Sequence, residues 1–327
     1  MKQRICIWFL LVLTMIMTSC SGIRTTQLPT KVNESNCHNT TWEVQTPQSI
    51  PKPIHTLNID TALTNRFSFQ SLNTANAIGI LELLSQFVEL KKTAAAQPTM
   101  NKRIELVELS QKVNQRINIA SLEISAIGSE LDCEEERADQ IANYLKSKED
   151  NIETKLTVSA IIIGAASAVA TGIILTLGNT GNTPEIIGIS AGFTEATLGV
   201  LILANEKKTE FKHPRNALKE IWEAPEYSTI FPPSIWYYLT YENPENDETS
   251  RRQRLIDNWL SLGQIKDIKE KDKEKVYGLL YGEGGQYTAD QLANRADMFD
   301  QIQAQITLMK QDLKLLTIEF EALNNDL

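Results

Sequence analysis

The sequence predicts an all-α protein: a long antiparallel helical bundle or coiled-coil stalk with a central hydrophobic helical hairpin. Three observations predict it. Residues 101–154 carry apolar side chains at three-four spacing without a proline, the mark of one buried helix face. Residues 288–325 repeat that pattern at the C-terminus. Between them, "TVSAIIIGAASAVATGIILTLGNTGNTPEIIGISAGFTEATLGVLILA", residues 157–204, holds two apolar runs joined by a short Gly/Asn/Pro loop.

In chain order, Lys2 and Arg4 precede the apolar stretch "ICIWFLLVLTMIM", which ends in "MTSC". A charged start followed by an apolar run too short to span a bilayer is the layout of an export signal over residues 1–19. The segment Met17-Thr18-Ser19-Cys20 resembles the lipobox of bacterial lipoproteins, with Met17 where Leu is usual. The resemblance covers about 20 residues. It implies cleavage before Cys20 and acylation of that cysteine, and so a bacterial cell-envelope location, the outer membrane before the inner, with the body in the periplasm.

Residues 20–70 are rich in Ser, Thr, Asn, Gln and Pro, including "TPQSIPKP", and predict a flexible tether with a reach of about 40 Å. Of four cysteines, Cys6 leaves with the signal and Cys20 would carry lipid, which leaves Cys37 and Cys133. In an oxidising compartment these two are a candidate disulfide, or else two separate thiols.

Residues 71–155 predict the stalk helices. Ala77, Leu81, Leu84 and Val88 recur at helical spacing up to a break at Pro98. Ile117, Ala120, Ile124, Ile127, Leu131, Ala138, Ile141, Leu145 and Ile152 then form a seam that only Glu134 and Lys148 interrupt. Its expected partner lies in 287–327. There Thr288 and Gln291 fit a capping box, and Leu292, Ala296, Phe299, Ile302, Ile306, Met309, Leu313, Leu316, Phe320 and Leu323 continue the seam.

The hairpin occupies 156–205. Residues 156–177 carry no charge and span about 33 Å as a helix, enough for a hydrocarbon layer of about 30 Å. Gly178 is placed to end that helix, and Thr183-Pro184-Glu185 supplies a cap, a first-position proline and an acidic first turn for the next. Gly188, Gly192, Glu195 and Gly199 share one face of the second helix, and Gly188 and Gly192 permit close helix approach. In an antiparallel hairpin Glu195 comes level with Ser167 and Thr171, whose hydroxyls can receive a protonated carboxyl. A pair of helices apolar all round either enters a membrane or is buried by other helices.

Segment 206–286 combines the Pro and aromatic cluster "APEYSTIFPPSIWYYLTYENPENDE" with "RRQRLIDNWLSLGQIKDIKEKDKEKVYGLLYGEGG", which reads as two short helices. The long helices flanking an apolar hairpin resemble, in architecture alone, the α-helical pore-forming toxins of the haemolysin BL and cytolysin A type. The lipid anchor and the aromatic segment depart from that plan. The resemblance implies a hairpin packed against the stalk in one state and inserted in another.

The formal net charge is −9, from 32 Lys plus Arg against 41 Asp plus Glu. Loss of Lys2 and Arg4 makes the mature chain more acidic, which argues against nucleic acid as a partner. The three histidines are His38, His55 and His213. They form no metal-ligand spacing, and no phosphate-binding loop or nucleophile elbow is present. The acidic run "CEEER" at 133–137 reads as a solvated helix face. No catalytic residue, metal or cofactor is expected. The expected role is structural or interactive: contact with membrane lipid through Cys20 and residues 156–204, and with other envelope proteins or further copies through the helices. A pore former and a soluble periplasmic binding module with the hairpin buried are the alternatives.

Overall fold

The structure is a computed structural model that describes residues 36–38, 49–176, 197, 206–244, 249–265 and 270–325. It is mostly helical. The chain divides into two compact units, one of Lys31–Gln140, Lys212–Gly285 and Leu292–Leu327, the other of Met1–Thr30, Ile141–Phe211 and Gln286–Gln291.

Residues 49–70 are not free tether. A 3-10 turn, Ile54–Thr56, and α1, Thr61–Thr64, bury Ile54, Leu63 and Phe67. The polar composition hid these three apolar anchors, and the Ile54 amide donates to the Tyr237 hydroxyl at 3.2 Å. Helix α2, Phe69–Ala77, starts at Ser68, whose hydroxyl accepts from the Ser71 amide. It ends two residues before Gly79, which sits at φ 71°. The Ile80 amide donates to the Ala75 carbonyl and the Gly79 amide to the Asn76 carbonyl, the Schellman closure that favours glycine. The single helix expected from residue 71 is therefore two, the second being α3, Leu81–Ala96.

Helix α4 runs Met100–Thr176 without interruption. The expected stalk helix and the first apolar arm are thus one element, because no proline, glycine pair or cap separates Lys155 from Leu156. After it come β1, Thr209–Lys212, and α5, Ala217–Glu223. Next is α6, Pro233–Thr240, with a proline at its first turn. Helix α7, Arg251–Ser261, and α8, Glu270–Tyr281, follow, then β2, Gly284–Tyr287. The strands pair in a two-stranded sheet. Thr209 and Phe211 of β1 are buried while Glu210 and Lys212 are exposed, the two-residue alternation of a strand.

The C-terminal seam is α9, Ala289–Thr307, and α10, Met309–Asn325, not one helix. Neither glycine nor proline marks the break at Leu308. The capping box at its start is reciprocal: the Thr288 amide donates to Gln291 Oε1 and the Gln291 amide to Thr288 Oγ1. All ten expected seam residues from Leu292 to Leu323 are buried.

Within the first unit, α4 passes this seam in antiparallel register. Lys310 Nζ donates to Ser125 Oγ at 2.9 Å, Gly128 faces the Gln303 side chain, and Asp300 acts on Glu135. The expected long two-helix stalk is not what covers the rest. Helix α10 also packs on α2, and Phe320 meets Phe87 of α3 at 5.0 Å between ring centroids. The seam is too wide for one partner, so the N-terminal helices complete its cover.

Phe320 is 1 % exposed. Phe320→Ala should therefore lower the unfolding free energy by about 3–5 kcal/mol in denaturant titration, whereas Ile318→Ala, at a position 52 % exposed, should change it by about 0.5 kcal/mol or less.

Candidate functional site

Cys37 and Cys133 are joined by a disulfide, with Cα atoms 5.5 Å apart and a sequence separation of 96. Cys133 lies on α4, so the bond ties the N-terminal segment to the long helix. Charged groups surround the tie. Glu130, one helical turn before Cys133, accepts from Arg215 Nε at 2.6 Å and faces His38 Nδ1 at 3.3 Å. The other Arg215 nitrogens donate to the carbonyls of Thr229 and Ile230. One carboxylate thus joins the N-terminal segment, α4 and the turn before α5, and Arg215 carries the link on to the chain after α5.

The acidic run beside the disulfide is not uniformly solvated. Glu134 is buried against Arg137, with Arg137 Nη2 2.6 Å from its carboxylate, and Arg137 also donates to the Lys212 carbonyl at 3.0 Å. Glu136 faces solvent. Burial and the neighbouring Asp300, Asp132, Asp139 and Glu136 hold the half-exposed Glu135 carboxyl above its usual range. Glu134 can occupy the seam because its cation lies three residues later, a spacing that places both groups on one face.

A second polar centre is built by the "KHPRN" turn. Asn216 Nδ2 donates to the carbonyls of Leu280 and Gly282. Arg295, fully buried, donates to Asn216 Oδ1 and to the Leu280 carbonyl, each at 3.1 Å, and lies over the Phe299 ring. His213 is buried beside it, and its amide donates to the Glu283 carbonyl. Burial, then the Arg295 charge, lowers the His213 pKa to about 3. The imidazole is therefore neutral at physiological pH. Sequence reasoning missed Arg295 although the signal was present, a cation between Leu292 and Phe299 within an apolar seam.

Ser167 is placed on α4, where its hydroxyl donates to the Ile163 carbonyl at 2.8 Å, and Thr171 lies on the same helix. Glu195, Gly188, Gly192 and Gly199, like Cys20, lie outside the described residues, so the expected pairing of Glu195 with the two hydroxyls does too. On α4, Val158, Ile161 and Ile162 are 49 %, 66 % and 61 % exposed. Among the described residues no helix is long and apolar enough to cross a membrane, so a transmembrane hairpin has no support from them. Among the same residues no group of three or more His, Cys, Asp or Glu side chains could hold a metal ion. A covalent bond, the Glu130–Arg215 ion pair, the Arg137 bond to the Lys212 carbonyl and buried Arg295 hold remote chain segments of the first unit together. No protein-family model matches the chain, and no match was found among curated proteins or solved structures.

Cys37→Ser should cost about 2–4 kcal/mol of stability, seen as a lower denaturation midpoint that reductant no longer shifts. For His213, the folded pKa of about 3 lies below the ordinary imidazole value of 6.5. The unfolded chain therefore binds the proton first, and stability falls as pH drops from about 6.5 towards 3. In His213→Gln the slope of unfolding free energy against pH across that window should be shallower, by at most about 1.4 kcal/mol per pH unit.

Proposed function

We propose that this is a lipid-anchored bacterial envelope protein with a structural or interaction role. Cys20 holds the helical body at a membrane, and the apolar segment 156–204 makes a second contact with lipid or a partner protein. The observation that carries the reading is the N-terminal order of Lys2, Arg4, an apolar run and Met17-Thr18-Ser19-Cys20. Exposure of Val158, Ile161 and Ile162 supports the second contact, since apolar surface of this kind, when continuous, marks interaction sites.

The disulfide adds a constraint to this reading. Sixteen residues separate Cys20 from Cys37, and a chain of that length spans at most roughly 60 Å when fully extended. The expected tether of some 50 residues is replaced by one about a third as long. Reduction would lengthen that leash only as far as the Ile54–Thr56 turn, since Ile54, Leu63 and Phe67 hold the chain beyond it on the body.

The test is fractionation of cells making the intact protein, Cys20→Ala, and Cys20→Ala without residues 157–204, each with its export signal, after carbonate washing and palmitate labelling. Label on the intact protein that is lost in Cys20→Ala is the expected result. Retention of Cys20→Ala in the membrane only when 157–204 is present would make that segment a lipid contact; release into the soluble fraction would make it a protein contact. An intact protein that takes up no label overturns the anchored reading. Oligomerisation with conductance across a planar bilayer would move the function to pore formation.

A further inference from the structure

Helices α3 and α4 are joined by residues 97–99 alone, so they form two walls that converge on one turn. Lys102 fastens that turn, its ammonium donating to the carbonyls of Thr93 and Gln97, each at 3.1 Å. The last residues of α3 read "KKTAAA", with no apolar side chain larger than a methyl group. Side chains that small leave the space towards α4 unfilled. A cleft of about 700 Å³ remains between α3, the first turns of α4 and Asn324 at the end of α10.

The walls are apolar: Phe87, Ala94, Ala95, Pro98, Leu106 and Val107. Packed cores do not leave space of this size, whereas sites for small molecules do, lined mainly by apolar groups with a few polar ones that orient the ligand. Val107 is 57 % exposed although it lines the cleft. Met100 and Ile104, seven and three residues earlier on α4, are exposed too, and that spacing puts all three on one helix face.

The charge at the cleft is one-sided. Lys91 and Arg103 line it and, among the described residues, no acidic side chain does, in a chain where Asp and Glu outnumber Lys and Arg by 41 to 32. The Lys91 ammonium donates to the Leu323 carbonyl, which takes one of its three protons. Arg103 is exposed and, in contrast to Lys102, no hydrogen bond or ion pair engages its guanidinium among the described residues. Apolar walls with cations and no anion complement a molecule of the opposite layout, an acyl chain that ends in a carboxylate. A neutral apolar ligand would leave the cations without a counter-charge, and an inorganic anion would leave the apolar walls in water. Because the walls meet at the turn, the cleft suits one chain entering from its open end.

We infer that this cleft binds a free fatty acid, with the acyl chain between Phe87, Leu106 and Val107 and the carboxylate on Arg103 and Lys91. The site depends on neither the lipid anchor nor the apolar segment 156–204. The test is photolabelling of membranes that contain the full chain with a radioactive, diazirine-bearing dodecanoic acid, the labelled peptides being mapped by mass spectrometry. Saturable labelling within residues 86–111 is expected, displaced by unlabelled dodecanoate and not by the same concentration of dodecanol. Arg103→Gln should raise the half-saturating concentration about tenfold. Val107→Trp, at an exposed position of the wall, should fill the cleft and abolish the labelling, while Lys112→Gln, outside the cleft, should label as the parent does; circular dichroism should show all three folded. Labelling that does not saturate, that dodecanol displaces equally, or that persists in folded Val107→Trp overturns the inference. Stronger displacement by lysophosphatidylglycerol than by dodecanoate overturns the assignment to a fatty acid.

Discussion

Burial of one apolar seam, from Leu292 to Leu323, is the constraint on which the rest of the first unit depends. Its ten seam side chains on α9 and α10 are all buried, and a stripe of that length on two consecutive helices cannot stay in water. Helix α4 covers part of it in antiparallel register, through the neighbourhoods of Ser125 and Gly128. Helices α2 and α3 cover the rest, with Phe87 against Phe320 and the Lys91 ammonium on the Leu323 carbonyl. The N-terminal helices are therefore core elements, and the segment that leads into them folds because they do.

Onto this apolar base the chain adds polar fastenings that connect remote segments. Glu130 and Arg215 tie the turn before α5 to α4, Arg137 reaches the Lys212 carbonyl, and Arg295 holds Asn216 and the end of α8. Buried ion pairs add little net stability against apolar replacements, but removing one partner leaves an uncompensated charge. Such groups specify one arrangement more than they strengthen it. The disulfide acts on the same segments by restricting the unfolded chain. Covalent and ionic fastening converge within one helical turn of Cys133.

Two features stand apart from this structural economy. The side chains of Val158, Ile161 and Ile162 are exposed on a helix whose earlier turns bury their apolar face. The first turn of α7 presents cations where the helix disfavours them. The arginines of that turn are held by the Ile221 carbonyl, the Tyr238 ring and Asp312, whereas the three apolar side chains stay exposed.

Local signals were legible because they act within a few residues. The Thr288–Gln291 box, the Pro233 start of α6, the break near Pro98 and the ten-residue seam could all be read from spacing and side-chain type. The helical class of the fold belongs to the same category, since it is a property of contiguous residues. The break at Gly79 was also local, but the apolar spacing across it masked the glycine. What the tertiary structure alone decided was partnership. No spacing rule says that Arg295 meets Asn216, that Cys37 reaches Cys133, or that Tyr238, Arg251 and Asp312 share a cleft. Arg251 with Asp312, Arg295 with Asn216 and Cys37 with Cys133 lie from about 60 to nearly 100 positions apart, and long-range contacts of that kind are set by how apolar faces find common cover, not by the order of residues along any one helix.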